Sequence, residues 1–109
     1  MQNRNMNAYL MVQIKVKNFN DLMERYGQFV FSVLEQYEGE MIAGSMNPDT
    51  MEGDWDGNWA AILRFPSKAR AEAWYHSSEY QPLRDLRINE LQTDGRVVLV
   101  EEFDPTGLG

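Results

Sequence analysis

Cysteine is absent from the 109 residues. Disulfides, thiolate zinc sites, iron–sulfur clusters and cysteine nucleophiles are therefore excluded. Histidine occurs once, at His76, so a histidine-rich metal site cannot be built and any Ser-His-Asp triad would have to use that residue. Basic residues are scarce: ten Lys and Arg face seventeen Asp and Glu, a formal charge of −7. A sheath of this sign repels phosphate, which argues against nucleic acid and anionic membrane surfaces as partners. Long apolar runs are missing too. The stretch from Ala8 to Val12 is interrupted at Gln13 and Lys15, short of the ~7–15 residues of an export signal and the ~20 of a membrane span. The residues before it, Met1 to Asn7, are polar, and the expected compartment is the cytoplasm. What remains is 43% hydrophobic and 12% aromatic, enough for one packed domain and too apolar for a disordered chain.

Periodicity divides that material into elements. Ala8, Leu10, Val12, Ile14 and Val16 alternate with Tyr9, Met11, Gln13 and Lys15, which is a strand. Asn18 reads as a helix N-cap, with Asp21 in the first turn. Leu22, Met23, Tyr26, Phe29, Val30, Val33, Leu34 and Tyr37 follow at helical spacing, and Gly39 is expected as the C′ stop. A weaker strand spans Glu40 to Met46, a polar loop Asn47 to Asp56, and a third strand Asn58 to Phe65. Ser67 caps a helix reaching about Ser77. A further helical piece starts near Gln81-Pro82 and reaches Leu91. Asp94-Gly95 is a turn signal before a last strand, Arg96 to Phe103. The order β-α-β-β-α-β predicts an α+β, ferredoxin-like sandwich with an antiparallel sheet over residues 8–103. Residues 104–109 are expected to be a loose tail.

Right-handed crossovers put both helical segments on one face of such a sheet. Alternation then asks what covers the other. One set of rows holds Leu10, Val12, Ile14, Trp59, Ala61, Leu63, Phe65, Val98 and Val100. The other holds Tyr9, Met11, Ala60, Ile62, Val97, Leu99 and Phe103. Both are largely apolar, so a helix-free face remains greasy whichever set it carries, and an apolar patch of that size is seldom left exposed. The simplest cover is a second copy of the chain on a two-fold axis.

Several ordered segments carry a resemblance. Met51-Glu52-Gly53-Asp54-Trp55, Ile62 to Ser67, Ala71-Glu72-Ala73-Trp74-Tyr75, Ser78 to Leu83, Arg87 and Val97 to Glu101 together resemble a bacterial domain-of-unknown-function family. That family belongs to the dimeric α/β barrel superfamily, which also holds cofactor-independent antibiotic-biosynthesis monooxygenases, muconolactone isomerases and EthD-like proteins. The resemblance implies a ferredoxin-like subunit and a homodimer whose sheets close a barrel. It implies no particular reaction.

The candidate chemistry is sparse. On a helical wheel His76 falls opposite Ala71, Trp74, Tyr75 and Ser78, which suggests a surface residue. Asp49, Glu52, Asp54 and Asp56 invite a calcium-loop reading, but the twelfth position is Leu63 where a bidentate Glu is needed, and a strand follows. No glycine-rich phosphate loop occurs. No metal or cofactor is implied. Arg64 lies mid-strand among apolar neighbours, and Arg87 belongs to the family pattern. Each is either an anion anchor or one half of a structural pair. Tyr9, Trp55, Trp59, Trp74 and Tyr80 are the aromatic candidates for lining a ligand pocket. The expected function is a non-catalytic ligand-binding or interaction dimer for a small aromatic ligand. The alternative is a cofactor-independent monooxygenase or isomerase, in which Arg64 or Arg87 steadies an enolate or phenolate. Two or three polar groups converging in one closed cavity would favour the enzyme; Arg64 and Arg87 fully paired with protein and no enclosed cavity would favour the other reading.

Overall fold

The computed structural model describes residues 6–107. Residues 1–5, part of the expected polar start, and residues 108–109, the end of the expected tail, lie outside the described residues.

Strand β1 (Ala8–Val16) leads into α1 (Phe19–Leu22), a π-helical turn (Met23–Gly27) and α2 (Gln28–Gln36). Strands β2 (Glu40–Ser45) and β3 (Trp59–Phe65) follow, then α3 (Lys68–Tyr75), α4 (Gln81–Leu86), a second π-helical turn (Arg87–Leu91) and β4 (Gln92–Glu101). The four strands form one antiparallel sheet in the order β2-β3-β1-β4, the ferredoxin-like arrangement. No described helix is long and apolar enough to cross a membrane.

The caps follow from the side chains. The Asn18 carboxamide accepts from the Asp21 amide at 2.9 Å, and the Ser67 hydroxyl accepts from the Arg70 amide at 3.1 Å. Each satisfies an amide that the first helical turn leaves without a partner. The end of α2 departs from expectation. Glu38, not Gly39, takes the left-handed conformation (φ 63°), and the Gly39 amide returns to the Leu34 carbonyl at 2.9 Å. Gly39 is needed for space instead, because a Cβ there would stand 2.5 Å from the Phe65 ring.

The last strand departs further. Asp94-Gly95 is not a turn: β4 begins at Gln92 and runs through it, with a bulge opposite Lys15 and Val16. Ile14 faces Gly95, where a Cβ would meet the Ile14 side chain at 2.7 Å. The register pairs Leu10 with Leu99 and Val12 with Val97, whereas Met11 faces Val98 and Tyr9 faces Val100. The two β4 rows are therefore exchanged relative to the sequence expectation, because a one-residue slip turns every side chain over.

Ala8, Leu10, Ile14, Val16, Ala61, Leu63 and Phe65 are buried under the helices with Leu22, Val30, Val33, Leu34, Ala71, Trp74, Tyr80 and Leu91. The opposite face carries Tyr9, Met11, Ala60, Ile62, Val98 and Val100, and among the described residues none of the helices α1 to α4 lies on it. Met11, Val98 and Val100 are 37–47% exposed. All of β2 is exposed. The subunit is a slab of 49 × 35 × 18 Å with a radius of gyration of 15.0 Å, against about 13 Å for a compact domain of ~100 residues.

Candidate functional site

A cavity of about 330 Å³ opens between the sheet and the first helical layer. Val12, Ile14, Trp59, Ala61 and Leu63 line it from the sheet, and Leu22, Val30 and Leu34 from the helices. Met23, Phe31 and Met46 also line it and are 44–61% exposed, so they form its outer rim. The walls are almost wholly apolar. Among the described residues their only charged member is Arg87.

Both π-helical turns contribute to this cavity. The first carries Met23, Tyr26 and Gly27, and the second begins at Arg87. Widened turns of this kind are frequent at functional sites because they re-aim side chains that a regular helix would place elsewhere. The Tyr26 and Tyr80 hydroxyls share a hydrogen bond of 2.7 Å. Tyr80 is held from behind. Ser77 donates its hydroxyl to the Trp74 carbonyl at 2.8 Å and accepts from the Tyr80 amide at 3.1 Å. The Trp74 ring stacks on Tyr80 at 4.0 Å. Trp74 is buried, and its indole N–H has no hydrogen-bond partner.

Arg87 is 4% exposed. It donates to the Gln92 side-chain oxygen at 2.7 Å, and its head stands beside the Tyr80 and Tyr26 hydroxyls. Among the described residues no carboxylate forms an ion pair with it. Burial opposes the guanidinium's charge, but coupling to Tyr80 and Tyr26 outweighs this and raises its pKa above the ordinary value, so it stays a cation. Burial, with the neighbouring Tyr80 adding to it, pushes the Tyr26 phenol well above its usual 10, and Arg87 opposes that shift only in part. Tyr26 is thus a neutral hydrogen-bonding group at ordinary pH and a poor base.

The other candidates lie elsewhere. Arg64 is on the helix-free face, paired with Glu40 through its Nε at 3.0 Å and through a shorter Nη2 contact. Tyr9 is next to it across the strands. Trp55 sits in the loop before β3. Trp59 lines the cavity, while Trp74 and Tyr80 stand behind it. His76 is exposed, with its ring edge-on to Tyr75. Asp56 holds Lys15 at 2.8 Å, and no group of three or more acidic or histidine side chains able to hold a metal occurs among the described residues. A wider, polar hollow of about 750 Å³ lies under the loop Pro48–Asp56, reaching Gln13, Ala60 and Arg96 on the helix-free side. It is more open, and its charged lining is acidic apart from Arg96, so the apolar cavity with one buried cation is the better site for a small apolar molecule. Tyr26 and Gln92 were not singled out by sequence. The usable signal was a tyrosine inside an apolar helical stripe, because a buried hydroxyl needs a partner.

Residues 7–103 match the domain-of-unknown-function family DUF1330. The chain belongs to that family. None of the curated proteins matches it. Among solved structures, a protein of unknown function from Rhodopseudomonas palustris is similar over 94% of this chain and 86% of its own, at 15% identity and a TM-score of 0.75. A candidate antibiotic biosynthesis monooxygenase from Nitrosomonas europaea is similar over 98% of this chain and all of its own, at 19% identity and a TM-score of 0.54. A dimeric ferredoxin-like protein of unknown function from Thermobifida fusca is similar over 92% and 94%, at 10% identity and a TM-score of 0.53. At these identities the likeness establishes the DUF1330 fold and leaves its chemistry open.

Proposed function

We propose that this DUF1330 protein is a homodimer that binds a small, largely apolar molecule in the cavity between sheet and helices. The observation that carries small-molecule binding is the cavity itself: apolar walls with Arg87 and Tyr26 at one polar end, backed by Tyr80. Small-molecule sites have this composition, with a few polar groups fixing orientation within an apolar lining. Convergence of polar groups is also what an enzyme site would show, so the choice between binding and catalysis rests on which polar groups are there. Dimerisation is supported by the exposed apolar side chains of the helix-free face and by the flat, open shape of the subunit. The Thermobifida fusca neighbour is itself dimeric.

Among the described residues the cavity lining includes no carboxylate and no histidine, and Tyr26 is a weak proton acceptor. General-base chemistry at a bound ligand thus lacks its acceptor, which favours binding over isomerisation. The oxygenase alternative is supported by Arg87 beside two phenols, a donor set that would steady an enolate or phenolate, and by the Nitrosomonas europaea neighbour. A thermal-shift screen against small aromatic acids, quinones and lactones tests the binding reading. A raised melting temperature with at least one class is expected, with no consumption of the ligand in air. A uniformly flat screen would overturn it, and ligand consumption with oxygen uptake would favour the oxygenase.

A further inference from the structure

The polar cluster at the cavity has a surplus of donors. A guanidinium presents five N–H donors and accepts nothing; Gln92 takes one of them, and the Tyr80 and Tyr26 hydroxyls accept from it as well, which still leaves donors over. The Tyr26–Tyr80 pair has two phenolic protons, of which one closes the bond between them. The other is free to serve a further acceptor. The cluster also has a surplus of charge. Arg87 is buried, and among the described residues its neighbours Gln92, Tyr26, Tyr80 and Tyr75 are all neutral. A buried charge without a counter-charge is expensive, and the exceptions are usually found where something else supplies the partner.

We infer that the cavity takes a monoanion with an apolar body, a carboxylate in particular, whose head group meets Arg87 and the Tyr26–Tyr80 hydroxyl pair. A carboxylate is acceptor-only and planar, and it matches the fork of a guanidinium. One negative charge cancels one positive charge. A phosphate dianion would bring an excess charge into a lining with no second cation, and a neutral amide or ester would leave the guanidinium uncompensated. The body of the ligand lies against Val12, Ile14, Leu63 and Phe31. A volume of about 330 Å³ admits a molecule of one or two rings or a medium acyl chain. This assignment rests on the proposed binding function and narrows its ligand class.

The test uses matched pairs: 1-naphthoate with 1-naphthamide, 4-phenylbutyrate with its amide, and octanoate with octanamide. Each is titrated calorimetrically into the wild-type protein, Arg87→Gln and Tyr26→Phe at neutral pH. The best acid is expected to bind about tenfold or more tighter than its amide, since hydrogen bonds to a charged group are the strong ones. Arg87→Gln should bring acid and amide within about threefold of each other, and Tyr26→Phe should weaken the acid alone by about three- to tenfold. If Arg87→Gln fails to fold, the wild-type acid-to-amide ratio and the Tyr26→Phe variant still decide. Amides binding as well as acids would overturn the carboxylate assignment and leave the binding function standing. No binding by any of the six would overturn the carboxylate assignment, and the thermal-shift screen with quinones and lactones then decides the binding function.

Discussion

Arg64 and Arg87 both stand among apolar residues in the chain, yet the sheet separates them. Arg64 lies on the helix-free face, partly in water, with Glu40 beside it. Arg87 lies under the helices, nearly out of water, with only neutral groups around it. The first is an ordinary surface pair at the rim of an apolar patch. The second holds a charge where the fold alone gives no reason to hold one. The two faces around them differ in the same way. The helix-free face is an exposed apolar patch of Met11, Val98 and Val100 beside a polar hollow under the loop Pro48–Asp56, suited to a second protein surface. The covered face encloses a space with a polar end, suited to a small molecule.

The largest effect should come from putting charge on the helix-free face. Met11→Lys places a cation near its own symmetry copy in a two-fold pairing, and like charges in an interface cost several kcal/mol. The dimer should dissociate at micromolar concentration with its circular-dichroism spectrum unchanged. A dimer that survives would place the partner on some other surface. Arg87→Met should act in the opposite sense. Replacing a buried charge by an apolar side chain of similar length is expected to be neutral or to stabilise by up to roughly 1–4 kcal/mol, read by urea denaturation. A clear loss of stability would make Arg87 a structural residue.

Tyr26 sharpens the contrast through pH. Its folded pKa lies well above the unfolded value of about 10. The folded state therefore keeps a proton that the unfolded chain gives up. Stability is full below about pH 10 and falls as pH rises toward the raised folded value. Denaturation at pH 8 and pH 10.5 should show a steeper loss in the wild type than in Tyr26→Phe, and equal slopes would contradict the burial of that hydroxyl. The smallest effect belongs to Arg64→Ala. An exposed, solvent-screened ion pair contributes little to stability, and the residue is remote from the cavity, so ligand-induced thermal shifts should persist. Their disappearance would move the site to the helix-free face.

Much of this arrangement was legible in the residues. Alternation at Ala8 to Val16 located β1, and Asn18 and Ser67 marked the helix starts through the chemistry of capping. The doubly apolar strands pointed to a face in need of cover before any coordinates. The failures have physical causes. Asp94-Gly95 has the composition of a turn, but Ile14 needs a residue without Cβ opposite it, so the glycine serves a bulge inside β4. The β4 faces depend on register, which pairing decides and composition does not. The π-helical turns leave no mark in hydrophobic spacing, so Tyr26 read as one more apolar-stripe residue. Arg64 and Arg87 looked equivalent because local sequence does not report which side of a sheet, or which depth, a side chain occupies.

Sedimentation velocity on the wild-type protein across micromolar concentrations tests the account most directly. The helix-free face predicts a single species at twice the 12.7 kDa chain mass. A lone 12.7 kDa species throughout that range would contradict it.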